Sequence, residues 1–486
     1  MRLDEREEIN IVGKWWVPGR EQSPHPGTLE FSKDIGPTLR LFDKLRFLSK
    51  PENGTYTNRS FDELFPIVCG RTENGPATLI NYQLGRADFL ILDALFNSED
   101  EARFSRIQLQ FQHFPEWVRQ PIIERTATFW ENDQKKPIGN ELCYQYRSLP
   151  TETFSAHALN FRIIFGINTK GGCFVPITIT PLVLLEISTE LPKSIVEWWC
   201  DVVKPMRDLL SLAIDRPIDV SQFIAFDDRE IENPRKCRVY FKGRKTEATH
   251  KELNVNDMLF AKTDIDGGIK TLVDNWFRIT QELPMVCNLY SSVTSIREQY
   301  LEEEFINLAQ AAELYHRSKF DNGILPKKEW KDKVKRIIDA VPESERKWLS
   351  EKLMWSNQLT LQSRLEELLE KLGPATSLLI ADKKDFATRV RRTRNYLTHW
   401  DERGEKNAAR DLELYFVSTT LKYILAACLL SELGFSKDKI SDLFKRNHRI
   451  HNFRWNSDNP ISSKPGQIGE SAYFTISVPQ EPASDN

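Results

Sequence analysis

The stretch Gly267-Gly268-Ile269-Lys270-Thr271-Leu272-Val273-Asp274-Asn275-Trp276-Phe277 decides the fold, because the character of the chain changes there for good. On its N-terminal side, apolar residues come at period two or in short bursts separated by Pro, Gly and Asn. Thr28-Leu29-Glu30-Phe31, Thr38-Leu39-Arg40-Leu41-Phe42, Ala77-Thr78-Leu79-Ile80-Asn81-Tyr82, Arg106-Ile107-Gln108-Leu109-Gln110-Phe111, Phe161–Phe165 and Leu182–Ile187 read as strands. Phe223–Phe226 and Arg238–Phe241 add more. One strong helix interrupts them: Pro192 suits its first turn, and Ile195, Trp198, Trp199, Val202, Val203, Met206, Leu209, Leu210 and Ala213 follow at helical spacing. On the C-terminal side, Ile269–Tyr290 opens an all-helical half. It continues through Glu302–Phe320, Lys327–Ala340, Glu343–Leu372, Thr376–Trp400, Arg410–Leu433 and Lys437 to about Arg446. Gly323, Pro326, Pro342, Gly373-Pro374, Gly404 and Gly434 punctuate the helices. The expected class is α+β, with a β-rich domain over 1–265, a helical linker over 266–300, an all-α bundle over 301–455 and a loosely ordered tail over 456–486.

A length of 486 residues allows two to four domains at roughly 100–200 residues each, which excludes a single small module. The 67 Lys and Arg nearly cancel 70 Asp and Glu, leaving a net charge of −3. No global field holds a polyanion, so nucleic-acid binding must come from a local patch. Seven cysteines form an odd set with no CxxC pair, which argues against a disulfide framework or a zinc ribbon and for reduced, buried thiols. GxGxxG, Walker A, HExxH and EF-hand patterns are missing, and only His448 and His451 among eight histidines lie close together. No metal and no cofactor is therefore expected. The start, MRLDEREEIN, has neither signal nor transit character, and the best uninterrupted apolar run, Tyr423–Leu430, falls short of the ~18 residues of a membrane span. The expectation is a cytoplasmic protein without a membrane partner.

One element carries chemistry: Arg394-Asn395-Tyr396-Leu397-Thr398-His399. The same spacing recurs at Arg446-Asn447-His448-Arg449-Ile450-His451, so the pattern alone decides nothing. Helical geometry separates the copies. At roughly 100° per residue, Phe386, Val390, Thr393, Leu397 and Trp400 gather on one side of the first helix, while Arg391, Arg394, Asn395, Thr398 and His399 gather on the other. In the second copy Ile440, Leu443, Phe444 and Ile450 share an arc with Asn447 and His451, which assigns that copy to a helix terminus or C-terminal cap. Charge singles out the first copy again. Lys383, Lys384, Arg389, Arg391, Arg392 and Arg394 stand against one acid, Asp385. Such a run is either a solvated surface helix or a phosphodiester-binding face, with Lys384, Arg389, Arg391 and Arg392 as RNA contacts.

A His, an Arg and an amide on one helical face suit RNA cleavage by attack of its own 2′-hydroxyl. An imidazole, with an ordinary pKa of roughly 6.5, can take or give the proton, and His399 would do so. Arg394 offers a fork of donors to the non-bridging oxygens. Asn395, about 40° around the helix from His399, would orient the imidazole or the phosphate. The expected products carry 2′,3′-cyclic phosphate and 5′-hydroxyl ends, and DNA lacks the nucleophile. One helix supplies one histidine, so two faces apposed across a twofold axis would supply both acid and base, which predicts a homodimer.

A helical bundle with Arg-Asn-x-x-x-His late in a long helix resembles the HEPN superfamily of ribonucleases. Leu308-Ala309-Gln310-Ala311-Ala312-Glu313-Leu314-Tyr315-His316-Arg317 resembles the opening helix of its ApeA-like group. Gly13-Lys14-Trp15-Trp16-Val17-Pro18, followed by Gly27-Thr28-Leu29, resembles the start of the ApeA N-terminal domain. The resemblance implies an antiphage protein acting by abortive infection, whose RNase is held inactive until infection and then cuts host or phage RNA, tRNA in particular. By motif position Arg394, Asn395 and His399 become the catalytic set, while Glu313 is either an acidic support for Arg394 or a surface carboxylate. The N-terminal half is then assigned to sensing a phage-derived trigger or restraining the nuclease, with Trp15 and Trp16 as packing aromatics rather than a base-stacking platform. The competing reading is a non-catalytic HEPN module for RNA binding or protein interaction.

Overall fold

In β1 (Glu8–Trp16) alternate side chains are buried, Ile9, Ile11 and Trp15 among them, as a half-covered strand requires. The computed structural model describes residues 8–42, 64–128, 141–172, 175–229, 232–244, 252–295, 299–321, 323–354, 356–399 and 405–453. The tail 456–486, Trp400 and Cys173 lie outside them. The strands that follow are β2 (His25–Ser32), β3 (Gly36–Leu41), β4 (Phe65–Thr72), β5 (Gly75–Tyr82), β6 (Phe89–Leu92), β7 (Arg103–Phe111), β8 (Ile123–Thr128), β9 (Glu141–Tyr146), β10 (Glu152–Ala156), β11 (Leu159–Gly172), β12 (Val175–Ser194), β13 (Val220–Asp227) and β14 (Arg235–Phe241). Among the described residues twelve strands form one antiparallel sheet, ordered β10-β11-β12-β7-β13-β14-β6-β5-β4-β1-β2-β3, and β8 pairs with β9.

Trp15 sits opposite Gly70 of β4 and is fully buried with Leu29, Leu39, Val68 and Leu79. A Cβ at position 70 would lie 2.2 Å from the Trp15 ring, so glycine there is a packing requirement. Trp15 and Trp16 are both buried, as core aromatics.

Two short helices and a longer one complete this half: α1 (Phe114–Val118), α2 (Ile195–Trp198) and α3 (Lys204–Ile214), the last two joined by a π-helical turn, Trp199–Val203. The expected start at Pro192 is corrected. β12 runs through Pro192, and the helix begins at Ile195 because Ser194 and Glu197 form a reciprocal capping box. Cys69, Cys237, Cys287 and Cys428 are buried free thiols; Cys200 is exposed, against expectation. Burial pushes the Cys69, Cys237 and Cys287 thiols up to about 12.

The helical half comprises α4 (Gly268–Glu282), α5 (Pro284–Ser295), α6 (Leu301–Lys319), α7 (Lys327–Asp339), α8 (Glu343–Leu353), α9 (Leu361–Leu372), α10 (Pro374–Ser377), α11 (Lys383–His399), α12 (Asp411–Leu433), α13 (Lys437–Arg446) and α14 (His448–Asn452). Three helices expected as continuous are broken. Pro284 separates α4 from α5. Asn357 and the Thr360 cap, whose hydroxyl accepts from the Ser363 amide, separate α8 from α9. Asp382 caps α11 afresh after α10.

The chain falls into two compact units: Met1–Gln299 with Ala426–Arg449, and Tyr300–Leu425 with Ile450–Asn486. The second is built on the mutual packing of α6, α9 and α11. Phe305, Leu308 and Ala312 of α6, Leu365, Leu368 and Leu369 of α9, and Phe386 and Val390 of α11 are all buried. Each large aliphatic or aromatic side chain so buried contributes about 1.5–3 kcal/mol. Helix α12 is long and apolar enough to cross a membrane by length and composition, but 72% of its most apolar window is buried inside the protein.

Candidate functional site

Helix α11 begins at Asp382, whose Oδ1 accepts from the amides of Lys384 and Asp385, both at 2.9 Å. The carboxylate thereby satisfies two free amides and faces the positive end of the helix dipole. Phe386, Ala387, Val390 and Thr393 turn inward, and Thr393 Oγ1 accepts from the Ala409 amide at 2.8 Å. This fixes the rotation of the helix. Asn395, Thr398 and His399 are exposed, and Arg391 and Arg394 are half-buried on the same side; Leu397 on the opposite side is only half-buried.

Arg394 Nη2 donates to Glu313 Oε2 of α6 at 3.2 Å, and its Nη1 reaches Asn395 Oδ1 at 3.4 Å. Glu313 Oε1 accepts in turn from Arg317 Nη2 at 2.8 Å. A carboxylate only 17% exposed thus holds two guanidiniums, and Arg394, so braced, keeps 35% of its side chain exposed. Thr398 spends its hydroxyl on the Arg394 carbonyl, at 2.7 Å. Among the described residues nothing holds the His399 imidazole. Asn395 and His399 are four residues apart on one helix, the spacing at which side chains are neighbours.

The candidate phosphate contacts divide. Lys384 and Arg392 are exposed. Arg389 is committed elsewhere, with Nε 2.9 Å from Glu413 and Nη1 3.2 Å from the Asn407 carbonyl. Burial pushes the Glu413 carboxyl up, and Arg389 offsets part of that. Arg391 keeps a buried Nε without a partner among the described residues.

A network between α6 and α9, buried at His316 and Arg364 and open to solvent at Glu367, has no counterpart in the sequence reading. His316 of α6 is fully buried, with Nε2 2.6 Å from Glu367 Oε2 and Nδ1 3.0 Å from Arg364 Nη1. Arg364 is also buried and donates from Nε to the Leu359 carbonyl at 3.1 Å. Its signal was an arginine three residues after Leu361 and four before Leu368, on the apolar arc of α9. His316 lies one turn past Glu313, so the network ties to α9 the same helix that holds Arg394.

The second Arg-Asn-x-x-x-His element is a structural joint. Nη1 and Nη2 of Arg446 donate to the two carboxylate oxygens of Asp264, at 2.7 Å each, and Asn447 is buried as the C-cap of α13, its amide donating to Leu443. Against the upward push of burial, Arg446 holds the Asp264 carboxyl below its ordinary range. The helix ends here, as expected of a terminus or cap, and His451 is exposed on the next short helix. Among the described residues no group of three or more His, Cys, Asp or Glu could hold a metal ion.

Two family models match the chain. The model of the Apea-like HEPN domain covers residues 306–439, and that of ApeA N-terminal domain 1 covers residues 10–276. No curated protein and no solved structure matches.

Proposed function

Because the chain belongs to the ApeA family, with an ApeA N-terminal domain followed by an Apea-like HEPN domain, we propose that it is a metal-independent endoribonuclease of antiphage defence. It cleaves RNA, with tRNA as the substrate class, and acts by abortive infection. Nuclease-type function in antiphage defence goes with the family. The observation that carries the finer reading is the outward face of α11, where Arg394, braced by Glu313, stands beside the exposed Asn395 and His399.

The 2′-oxygen attacks phosphorus, the bond from O2′ to P forms and the bond from P to O5′ breaks. One imidazole removes the 2′-hydroxyl proton and another protonates the departing 5′-oxygen. Arg394 donates to the non-bridging oxygens as charge builds on them. Each chain provides one His399, so the working form is a homodimer through the HEPN domain, with two such faces apposed. Residues 1–265 sense a phage-derived trigger or restrain the nuclease; a deletion of this region that leaves both toxicity and infection response unchanged overturns that assignment.

The test is incubation of the purified protein with total RNA in EDTA, followed by analysis of the new ends. Cleavage persists, and the fragments carry 2′,3′-cyclic phosphate and 5′-hydroxyl groups. Loss of cleavage on chelation, or 5′-phosphate ends, overturns the mechanism. Binding of RNA without any cleavage favours the non-catalytic module instead.

A further inference from the structure

Between α6 and α9 the chain leaves the bundle as a helical hairpin, α7 with α8, in which no residue of either helix is buried. The two helices pack against each other, and Trp330, Val334, Ile337 and Leu349 are half-buried. A pinned neck sets the base of this arm. Asn357 accepts from the Leu325 amide and donates to the Leu325 carbonyl, each at 2.9 Å, and Ile324 donates to the Asn357 carbonyl at 2.8 Å. Immediately beyond, Arg364 holds the Leu359 carbonyl and, through His316, ties the returning strand to α6. Helix α6 ends six residues past Glu313, which is about 9 Å of helix. The neck is thereby tied, through Arg364 and His316, to the stretch of α6 one turn from Glu313, which holds Arg394.

The arm is cationic on α7. Lys327, Lys328, Lys331, Lys333, Lys335 and Arg336 outnumber Glu329, Asp332 and Asp339 there by six to three, in a chain of net charge −3. At roughly 100° per residue, Lys327, Lys331 and Lys335 form one stripe beside the apolar seam, spaced about 6 Å along the axis. That repeat is comparable to the separation of successive phosphates in a nucleotide chain. All three are exposed, and none meets a carboxylate among the described residues. Lysines make point-charge contacts that suit a backbone of any sequence. On α8, Trp348 stands 57% exposed, an indole on which an unpaired base can stack.

We infer that the α7–α8 arm is an RNA grip, in which Lys327, Lys331 and Lys335 hold the phosphodiester backbone of the substrate beside the α11 face. The inference rests on the ribonuclease reading above and adds to it where the RNA is held. A protein partner on this arm is the competing occupant, and the charge favours the polyanion.

The experiment compares two full-length proteins, each carrying His399→Ala so that RNA stays intact. One keeps the arm and the other has Lys327, Lys331 and Lys335 replaced by glutamine. Binding of a fluorescent tRNA is followed by anisotropy between 50 and 200 mM salt. Removing three phosphate contacts lowers the slope of log affinity against log salt by about 2 and weakens low-salt binding at least tenfold. A companion with three arginines at these positions keeps the parent slope. Equal slopes for the lysine and glutamine proteins, or no tRNA binding by the protein with the intact arm, overturn the grip. Separately, the chain with His399 restored is assayed for cleavage. If it does not cut while the slopes still differ, the catalytic reading fails and the grip stands.

Discussion

His399→Ala lowers RNA cleavage by roughly 10²–10⁴-fold, the range for losing one positioned acid or base. The fold does not depend on this ring. It is exposed at the end of α11, and among the described residues it has no hydrogen-bond partner. Stability should therefore stay within about 0.5 kcal/mol of the parent. Initial rates on tRNA, measured beside urea unfolding, separate the two effects. Cleavage within threefold of the parent would sink the role given to the imidazole. A slow but unstable variant would instead show that the ring is structural. Because Arg394 keeps its bond to Glu313 in this variant, RNA binding should survive and report on the contacts apart from the proton transfer.

Arg364→Ala is expected to destabilise the protein by about 1–3 kcal/mol for each buried acceptor it leaves unsatisfied. The truncation leaves the Leu359 carbonyl and His316 Nδ1 without their donor and removes a large side chain that is itself fully buried. It also changes the response to acid. A guanidinium can only donate, so His316 Nδ1 must accept, and the proton on Nε2 goes to Glu367. Burial holds His316 below its ordinary value of 6.5, with Glu367 pulling upward and Arg364 pushing further down. Below about pH 6.5 the unfolded chain then binds this proton while the folded chain does not. The stability contributed by the neutral ring is thus present above that pH and lost as pH falls through the folded value. Removing Arg364 removes one downward influence, so the variant should lose proportionally less stability on acidification. Urea unfolding at pH 7.5 and 5.5 checks both parts. A variant as stable as the parent at pH 7.5 contradicts the packing role, and an unchanged acid response contradicts the assigned tautomer.

The sheet was legible because a half-covered strand writes its burial as alternation, and Ile9, Ile11 and Trp15 show that period plainly. The trio on α11 was legible for the matching reason, since a helical projection separates Phe386 and Val390 from Asn395 and His399. Less was visible wherever a distant partner sets the outcome. The apolar spacing runs on through Leu353, Met354, Leu359 and Leu361, so a single helix was expected there. The break depends on Asn357 bonding backbone thirty-two residues earlier, which no local pattern encodes. Arg389 looked like a phosphate contact because its acid, Glu413, lies on another helix. Arg364 carried a local mark, its place between Leu361 and Leu368 on the apolar arc of α9, but its partner His316 lies on another helix. The π-helical turn at Trp199–Val203 had no compositional mark at all.

Because Ile324 and Asn357 bring the outgoing and incoming backbone to the same spot, the hairpin is a graft on a closed scaffold. Its length is uncoupled from the helices beneath it. One turn added to both α7 and α8 extends its span by about 5.4 Å while every side chain below position 323 and above 358 keeps its neighbours. Selection can therefore change the reach of the hairpin without disturbing the packed helices that carry the α11 face.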